Sequence, residues 1–459
     1  MSSTKRIVIL GAGESGTGAA LLAKALGYAV FVSDKSPIKP QYQAVLENAG
    51  IEFETGQHSL DKITNATEVV KSPGIPAKTD VMKAIRSKGL PVIGEIEFGY
   101  RHAGKCTIVA ITGSNGKTTT TLLIHHLLKT AGMNVRVGGN VGNSFAELVL
   151  ENRGKENLVY VLEVSSFQLE DIRSFRPKVA VLLNITPDHL DRYDYQMENY
   201  ARAKFRINQN QKRGDVFIFN AADPVVVDYM TRHPLTAAKQ VPVRRGFFKN
   251  GSIHIGKRHT FDMTGSKLRG PHNMFNATCA IRTALSLGAN PAQIQSGLNT
   301  FEPPPHRLEV VATANGVTWI NDSKATNVDS VFYALQAMTT PTIWIVGGQD
   351  KGNDYTPLLP LVKKKVKAIV CLGVDNSKII AFFKKTKKPI VETRSAEEAV
   401  QQAARLAAHG DTVLLSPACA SFDLFKNYED RGEQFRAGVE KVSQRLMEFF
   451  GGSQRKKQK

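Results

Sequence analysis

Short apolar runs alternate with amphipathic stretches along nearly the whole chain. Runs rich in Val, Ile and Leu without polar alternation suit strands buried on both faces, and the stretches between them carry the helical period. The first third predicts a strand at Arg6–Leu10, a helix from about Gly16 to Leu26 and a strand at Ala29–Ser33. A second unit of this kind ends near Arg101, where His102-Ala103-Gly104 reads as a linker. The central region opens on the run Cys106–Ile111, followed by a helix over Leu122–Lys129 and strands at Val159–Val164 and Val179–Asn184. Between Gly246 and Phe261 the pattern changes, and Gly, Asn and Lys turns predict short antiparallel strands. A helix follows from about Asn276 to Leu287. Phe301-Glu302-Pro303-Pro304-Pro305 is a stiff break and marks a boundary. The last third predicts strands at Val317–Ile320, Thr342–Val346, Ala368–Leu372 and Thr412–Ser416. The expected class is α/β with mainly parallel sheets, in three domains at 1–103, 104–305 and 306–459.

Composition adds limits. A chain of 459 residues is too long for one ordinary domain. Apolar content of 42% with 22% charged residues is that of a globular protein with real cores. Cys106, Cys279, Cys371 and Cys419 form no CxxC pair, and they read as reduced thiols of a cytoplasmic protein. The N-terminus runs straight into a strand, so no secretory leader is expected, and no apolar run is long enough to span a bilayer. The formal charge of +19 calls for anionic partners. The basic clusters at Lys363–Lys365, Lys384–Lys388 and Arg455–Lys459 lack interleaved aromatics, so they read as solvated surface and tail. No nucleic-acid partner is expected, and the chain is expected to be a monomer.

The strongest chemical signal follows Cys106–Ile111. Thr112-Gly113-Ser114-Asn115-Gly116-Lys117-Thr118-Thr119-Thr120 places a glycine-rich turn between a strand and a helix start. Glycines let backbone N–H groups face phosphate oxygens, and the helix N-terminus adds partial positive charge. Lys117 can reach the β- and γ-phosphates, and the Thr118 hydroxyl can meet Mg²⁺. The strict phosphate-loop spacing would put glycine where Ile111 stands, so this loop is a shortened form. ATP is the expected nucleotide.

A second turn, Gly11-Ala12-Gly13-Glu14-Ser15-Gly16, follows the first strand, and Asp34 ends the next one. This is a dinucleotide fingerprint with its ribose acid, so a nicotinamide-dependent oxidoreductase is a rival reading. The turn can equally hold the diphosphate of another nucleotide-linked molecule, and Lys71-Ser72-Pro73-Gly74-Ile75-Pro76 is a loop of similar character. A basic nucleic-acid-dependent ATPase is the third reading.

Further candidates sit at predicted strand ends. Glu163 ends a buried strand, where a carboxylate needs a cation or a structural partner. His189 lies in Asn184–Tyr193, as a ligand or a structural histidine. Lys204 lies among Ala, Phe and Ile on a helix and would ordinarily snorkel to solvent. Asn273 and Asn276 can bond an adenine edge or cap a helix, and Arg307 is placed to touch phosphate. Three loops of the last third, Asn321–Asn327, Gly347–Gly352 and Ser416–Asp423, follow predicted strands, where open α/β sheets bind ligands. Lys324, Lys351, Thr326 and Ser421 among them suit a small dicarboxylate, or are polar surface.

In order, these segments resemble the Mur ligase family of peptidoglycan synthesis, from Gly11 to about Phe435. The family's phosphate loop has the same shortened Gly-x-x-Gly-Lys-Thr form. Thr-Gly-Ser-Asn-Gly-Lys-Thr also fits folylpolyglutamate synthetase, a relative, and discrimination comes from Ser72–Ile75, Gly94-Glu95-Ile96-Glu97, Asn184–Tyr193 and Ser416–Asp423. The resemblance implies Rossmann-like first and third domains around a central P-loop ATPase-type domain carrying the small antiparallel sheet. It implies an ATP-dependent amide ligase that joins D-glutamate to UDP-N-acetylmuramoyl-L-alanine through an acyl phosphate.

By that likeness Ser15, Gly16, Asp34, Ser72, Asn140, Ser165 and Gln168 hold the UDP-linked substrate. ATP meets Gly113, Ser114, Asn115, Gly116, Lys117, Thr118, Thr119, Asn273, Asn276, Arg307 and Asp322. Thr118, Glu163, His189 and Lys204 serve Mg²⁺, expected as two ions, with Lys204 as N6-carboxylysine. D-Glutamate lies against Thr326, Lys351, Ser421, Phe422 and Tyr428, with Lys324 nearby. Lys117, Glu163, His189, Lys204, Lys324 and Lys351 are the expected catalytic set. A different ligase of the same family, adding another amino acid or making folylpolyglutamate, is the alternative that keeps this chemistry and changes the acceptor. Lys35-Ser36 after Asp34, and the basic tail, depart from the family pattern.

Overall fold

A computed structural model describes residues 5–235, 237–244 and 246–455, with side chains to 444. The basic tail beyond Arg455, at 456–459, lies outside the described residues. The chain divides into two compact units, Met1–Ser266 with Phe275–Phe301, and Lys267–Met274 with Glu302–Lys459.

The first unit begins with a parallel sheet of five strands, β1 (Arg6–Leu10), β2 (Ala29–Asp34), β3 (Glu52–Thr55), β4 (Glu68–Lys71) and β5 (Val92–Gly94). Their order is β3-β2-β1-β4-β5. A second parallel sheet follows, with β6 (Thr107–Thr112), β7 (Val135–Gly139), β8 (Val159–Glu163), β9 (Val179–Leu182), β10 (Val216–Asn220) and β11 (Lys239–Val243), ordered β11-β10-β9-β6-β8-β7. In β6, β8 and β9 nearly every residue is buried, as helices on both faces require of a parallel sheet. The irregular section is an antiparallel sheet of β12 (Phe248–Lys249), β13 (Ser252–Ile255) and β14 (His259–Asp262), as its turns predict.

One hydrophobic core runs through both parallel sheets, from Ile7 and Val32 to Leu162, Leu182 and Phe217. The seam between them is close-packed. A Cβ on Gly18 would stand 2.1 Å from Ser144 Oγ, and one on Gly99 2.8 Å from Phe145. Glu97, fully buried, accepts from the N–H groups of Arg173, Ser174 and Phe175, each at 2.9 Å, and from Arg101. Burial opposes its charge, yet the Ser174 hydroxyl and these N–H groups hold its carboxyl below the usual range.

The second unit is a six-stranded sheet of β15 (Glu309–Ala314), β16 (Val317–Asn321), β17 (Thr342–Gly347), β18 (Val366–Leu372), β19 (Ile390–Thr393) and β20 (Thr412–Ala418), ordered β15-β16-β20-β17-β18-β19. The edge strand β15 is antiparallel to β16, and the other pairs are parallel. Separate apolar clusters, around Trp344 and around Trp319, cover its two faces. The α/β expectation with mainly parallel sheets holds. No helix among the described residues is long and apolar enough to cross a membrane.

Two predicted helices start earlier than their periodicity suggests. The helix after the phosphate loop begins at Lys117, because Thr119, Thr120 and Thr121 are buried and packing overrides their modest propensity. The later helix begins at Pro271, a residue pre-set for a first helical turn.

Candidate active site

The phosphate loop joins the end of β6 to the helix Lys117–Thr130. Gly116 takes φ +83°, and a Cβ there would lie 2.7 Å from Asn276 Oδ1, so the loop's last turn requires glycine twice over. Asn276 therefore packs directly on the loop. Lys117 donates to the carbonyls of Gly113 at 2.9 Å and Ser114 at 2.8 Å. Lys204 donates to the same Gly113 carbonyl at 2.8 Å. Two ammonium groups thus converge at one oxygen beside a helix N-terminus, an arrangement suited to an anion.

Of the two readings of Lys204, ordinary snorkelling to solvent is corrected. Its side chain is 2% exposed, lies over the Tyr200 ring at 4.5 Å, and faces inward from the helix Met197–Phe205. Burial first, and the Lys117 charge second, push its amine well below the usual lysine range.

The loop after β9 braces the phosphate loop. Asn115 N donates to Asn184 Oδ1 at 2.8 Å, and Asn184 Nδ2 returns a bond to the Asn115 carbonyl at 3.0 Å. Thr186 N donates to Ser114 Oγ, which donates in turn to the Thr186 carbonyl. Asn184 and Thr186 thus have a positioning part that the sequence did not assign them.

Glu163, 2% exposed, ends β8 next to β6. Its Oε1 accepts from Asn140 Nδ2 at 2.9 Å, while Oε2 is buried without a hydrogen-bond partner among the described residues. An orphaned carboxylate oxygen beside a phosphate loop fits a hard divalent cation. Among the described residues no group of three or more His, Cys, Asp or Glu forms a cation cage. His189 stands at φ +52°, is half exposed, and lies 3.6 Å from Asp188 and edge-on to Phe167.

The Gly11–Gly16 turn is equally constrained. A Cβ on Gly16 would fall 1.8 Å from the Gly11 carbonyl, and one on Gly11 2.6 Å from Ser72 Oγ. Asp34 holds this turn and the next, accepting from Ala12 N at 2.7 Å and Ser36 N at 2.8 Å. Ser15 is half-buried at the start of the helix Glu14–Ala25. Ser165 and Gln168 form a reciprocal capping box on the helix Ser166–Leu169.

In the second unit the three candidate loops leave β16, β20 and β17, which are neighbours in the sheet, so the fold brings them together. Lys324 Nζ lies 3.5 Å from the Tyr428 ring centre. Ser421 is buried, whereas Thr326, Lys351 and Phe422 are exposed. Asp322 accepts from Leu308 N at 3.1 Å and from the Ser416 hydroxyl at 2.8 Å, and burial pushes its carboxyl up to about 7. Arg307 lies in the same unit, one residue before Leu308. Asn273 also belongs to this unit, while Asn276 belongs to the first.

The sequence missed Arg431. Its guanidinium is buried and donates to Ser323 Oγ at 2.9 Å, the Ser323 carbonyl at 2.8 Å and the Cys419 carbonyl at 3.2 Å. It thereby staples the loop after β16 to the loop after β20. Burial lowers its basicity to about 10.

Comparison with known proteins adds three family matches. Residues 5–94 match the Mur ligase MurD-like N-terminal domain, 111–284 the Mur ligase middle domain, and 306–419 the Mur ligase glutamate ligase domain. The chain is 52% identical to the UDP-N-acetylmuramoylalanine--D-glutamate ligase of Cytophaga hutchinsonii, covering 94% of this chain and 98% of that protein. It is 49% identical to the ligase of the same name from Christiangramia forsetii, covering 95% and 99%. Among solved structures, the UDP-N-acetylmuramate-alanine ligase of Thermotoga maritima superposes with a TM-score of 0.60 over 95% of this chain and 99% of that one. At 19% identity, that likeness speaks for the fold alone.

Proposed function

The chain belongs to the Mur ligase family, and from that premise we propose that it joins D-glutamate to UDP-N-acetylmuramoyl-L-alanine, converting ATP to ADP and phosphate. The observation that carries the reading is the meeting of Lys117 and Lys204 at Gly113, beside the buried carboxylate of Glu163.

In the first step the L-alanyl carboxylate attacks the γ-phosphorus of ATP, the bond to the β-phosphate oxygen breaks, and ADP leaves. Little covalent help is needed, so positioning and charge neutralisation carry the step. Gly113–Thr119 cradle the phosphates through backbone N–H groups, and Lys117 neutralises charge as it moves to the leaving oxygen. Glu163, Thr118, His189 and Lys204, the last as N6-carboxylysine, would hold Mg²⁺, which when bound screens the phosphate charge. A carbamate on the buried Lys204 amine turns a cation into a carboxylate-like ligand.

In the second step the D-glutamate amine attacks the acyl carbon, the tetrahedral intermediate loses phosphate, and the amine's proton leaves to solvent or a base. Thr326, Lys351, Ser421, Phe422 and Tyr428, with Lys324, are the proposed D-glutamate contacts. Ser15, Gly16, Asp34, Ser72, Asn140, Ser165 and Gln168 are the proposed contacts of the UDP-linked substrate. The proposed setting of the reaction is the cytoplasm.

Hydroxylamine tests the reading, since it captures acyl phosphates as hydroxamates. With ATP, Mg²⁺ and UDP-N-acetylmuramoyl-L-alanine, and no D-glutamate, the enzyme should accumulate the hydroxamate with matching ADP. Absence of both would overturn the acyl-phosphate step.

A further inference from the structure

Lys71 is a buried cation that the steps above leave unused. It is the last residue of β4, between β1 and β5, and its side chain is 2% exposed. Its ammonium donates to the Ile75 carbonyl at 3.0 Å and lies 3.5 Å from the Ser72 carbonyl, so it holds both ends of the Ser72–Ile75 loop. It also pairs with Asp171 Oδ2 at 2.8 Å.

Each partner leads to a different part of the proposed substrate site. The Ser72–Ile75 loop closes over the Gly11 turn, with Ser72 N on the Leu10 carbonyl at 2.8 Å and Ser72 Oγ 3.4 Å from the Gly11 carbonyl. Asp171 belongs to the second sheet's side of the seam, just past the capped helix that carries Gln168. Its carbonyl accepts from Gly94 N at 3.1 Å, so backbone and side chain both tie this segment to the first sheet. Arg206 fixes the same segment from behind, donating to the carbonyls of Leu169 and Ile172, each at 2.7 Å.

We propose that Lys71 is a positioning residue for the UDP-linked substrate, fixing the Ser72–Ile75 loop and locking it in register with the 165–171 segment. This rests on the reading that Ser72, Ser165 and Gln168 contact that substrate. A buried ammonium with two carbonyls and one carboxylate is geometrically satisfied only while both segments hold their places, so it couples them. Removing it frees the loop and leaves Asp171, 21% exposed, able to turn to water.

The test uses the full-length enzyme with steady-state kinetics for all three substrates and thermal unfolding alongside. Lys71→Met keeps the stem and removes the charge. The expected result is a rise of about tenfold in KM for UDP-N-acetylmuramoyl-L-alanine, with kcat and the KM values for ATP and D-glutamate within about threefold. Asp171→Asn, which spares the two carbonyl bonds, should shift the same KM by less and serves if Lys71→Met does not fold. The double variant should fall short of the product of the two single effects. A lower melting temperature with every KM unchanged would overturn the inference and leave Lys71 a purely structural ion pair. No turnover by the unaltered enzyme would overturn the substrate reading and the inference together.

Discussion

Lys117 and Lys204 share one acceptor, the main-chain carbonyl of Gly113, at 2.9 and 2.8 Å. One lysine comes from the loop's own helix and the other from the helix Met197–Phe205, so the phosphate loop is pinned between two amine donors. An ammonium as buried as that of Lys204 is costly unless something anionic or a modification relieves it.

Lys204→Ala should therefore lose at least about a hundredfold in kcat while the protein stays folded, and acetate should restore part of the loss by standing in for a carbamate. Turnover at the original rate without acetate would remove Lys204 from the mechanism. Inactivity without any rescue would argue against the carbamate.

Lys117→Ala should cost at least about a thousandfold in turnover, because the charge it supplies is needed most as the γ-phosphoryl group transfers. Thermal unfolding should change little, since the loop keeps its braces from Asn184 and Thr186. Phosphate release near the original rate would sink the assignment of this loop to ATP.

Glu95 predicts a pH dependence of stability. It is 3% exposed at the seam, accepts from Ala146 N at 2.6 Å through one oxygen, and leaves the other buried without a partner among the described residues. Burial pushes its carboxyl from 4.5 up to about 7. Because the folded pKa is raised, its favourable contribution is complete below about 4.5 and is lost as pH rises through about 7. Thermal unfolding of Glu95→Gln and of the unaltered protein should thus diverge from about pH 4.5 to about 7, with the unaltered protein losing ground as pH rises, and the gap should level off above that. The ceiling is about 3 kcal/mol. Parallel curves would contradict the shift.

Lys351→Ala should raise KM for D-glutamate about tenfold or more while leaving KM for ATP nearly unchanged, as removal of one charge-assisted contact to a carboxylate predicts. Equal effects on both would move the amino-acid site away from the loop after β17.

Much of this architecture was legible because it is local. The phosphate loop is a strand, a glycine turn and a helix within one short stretch, and Glu163 announces itself as a charge at the end of an apolar run. For Lys204 the neighbours along its helix suggest a snorkelling side chain for a physical reason: they say that a face is apolar, but not that Tyr200 and Gly113 wait opposite it. Arg431 and Lys71 were less legible still. Ser323, the main acceptor of Arg431, lies 108 residues away in sequence, and Asp171 lies in the turn after the helix Ser166–Leu169, far from Lys71 along the chain. The Asn184–Thr186 segment looked like a ligand loop because polar residues after a strand can bind or brace, and only the structure shows the bracing.

The most direct test of the central claim is phosphate release from ATP with Mg²⁺ and UDP-N-acetylmuramoyl-L-alanine, with D-glutamate, L-glutamate, L-lysine or no amino acid added. Sustained release with D-glutamate alone is the predicted result. Sustained release with another acceptor, and none with D-glutamate, would contradict it.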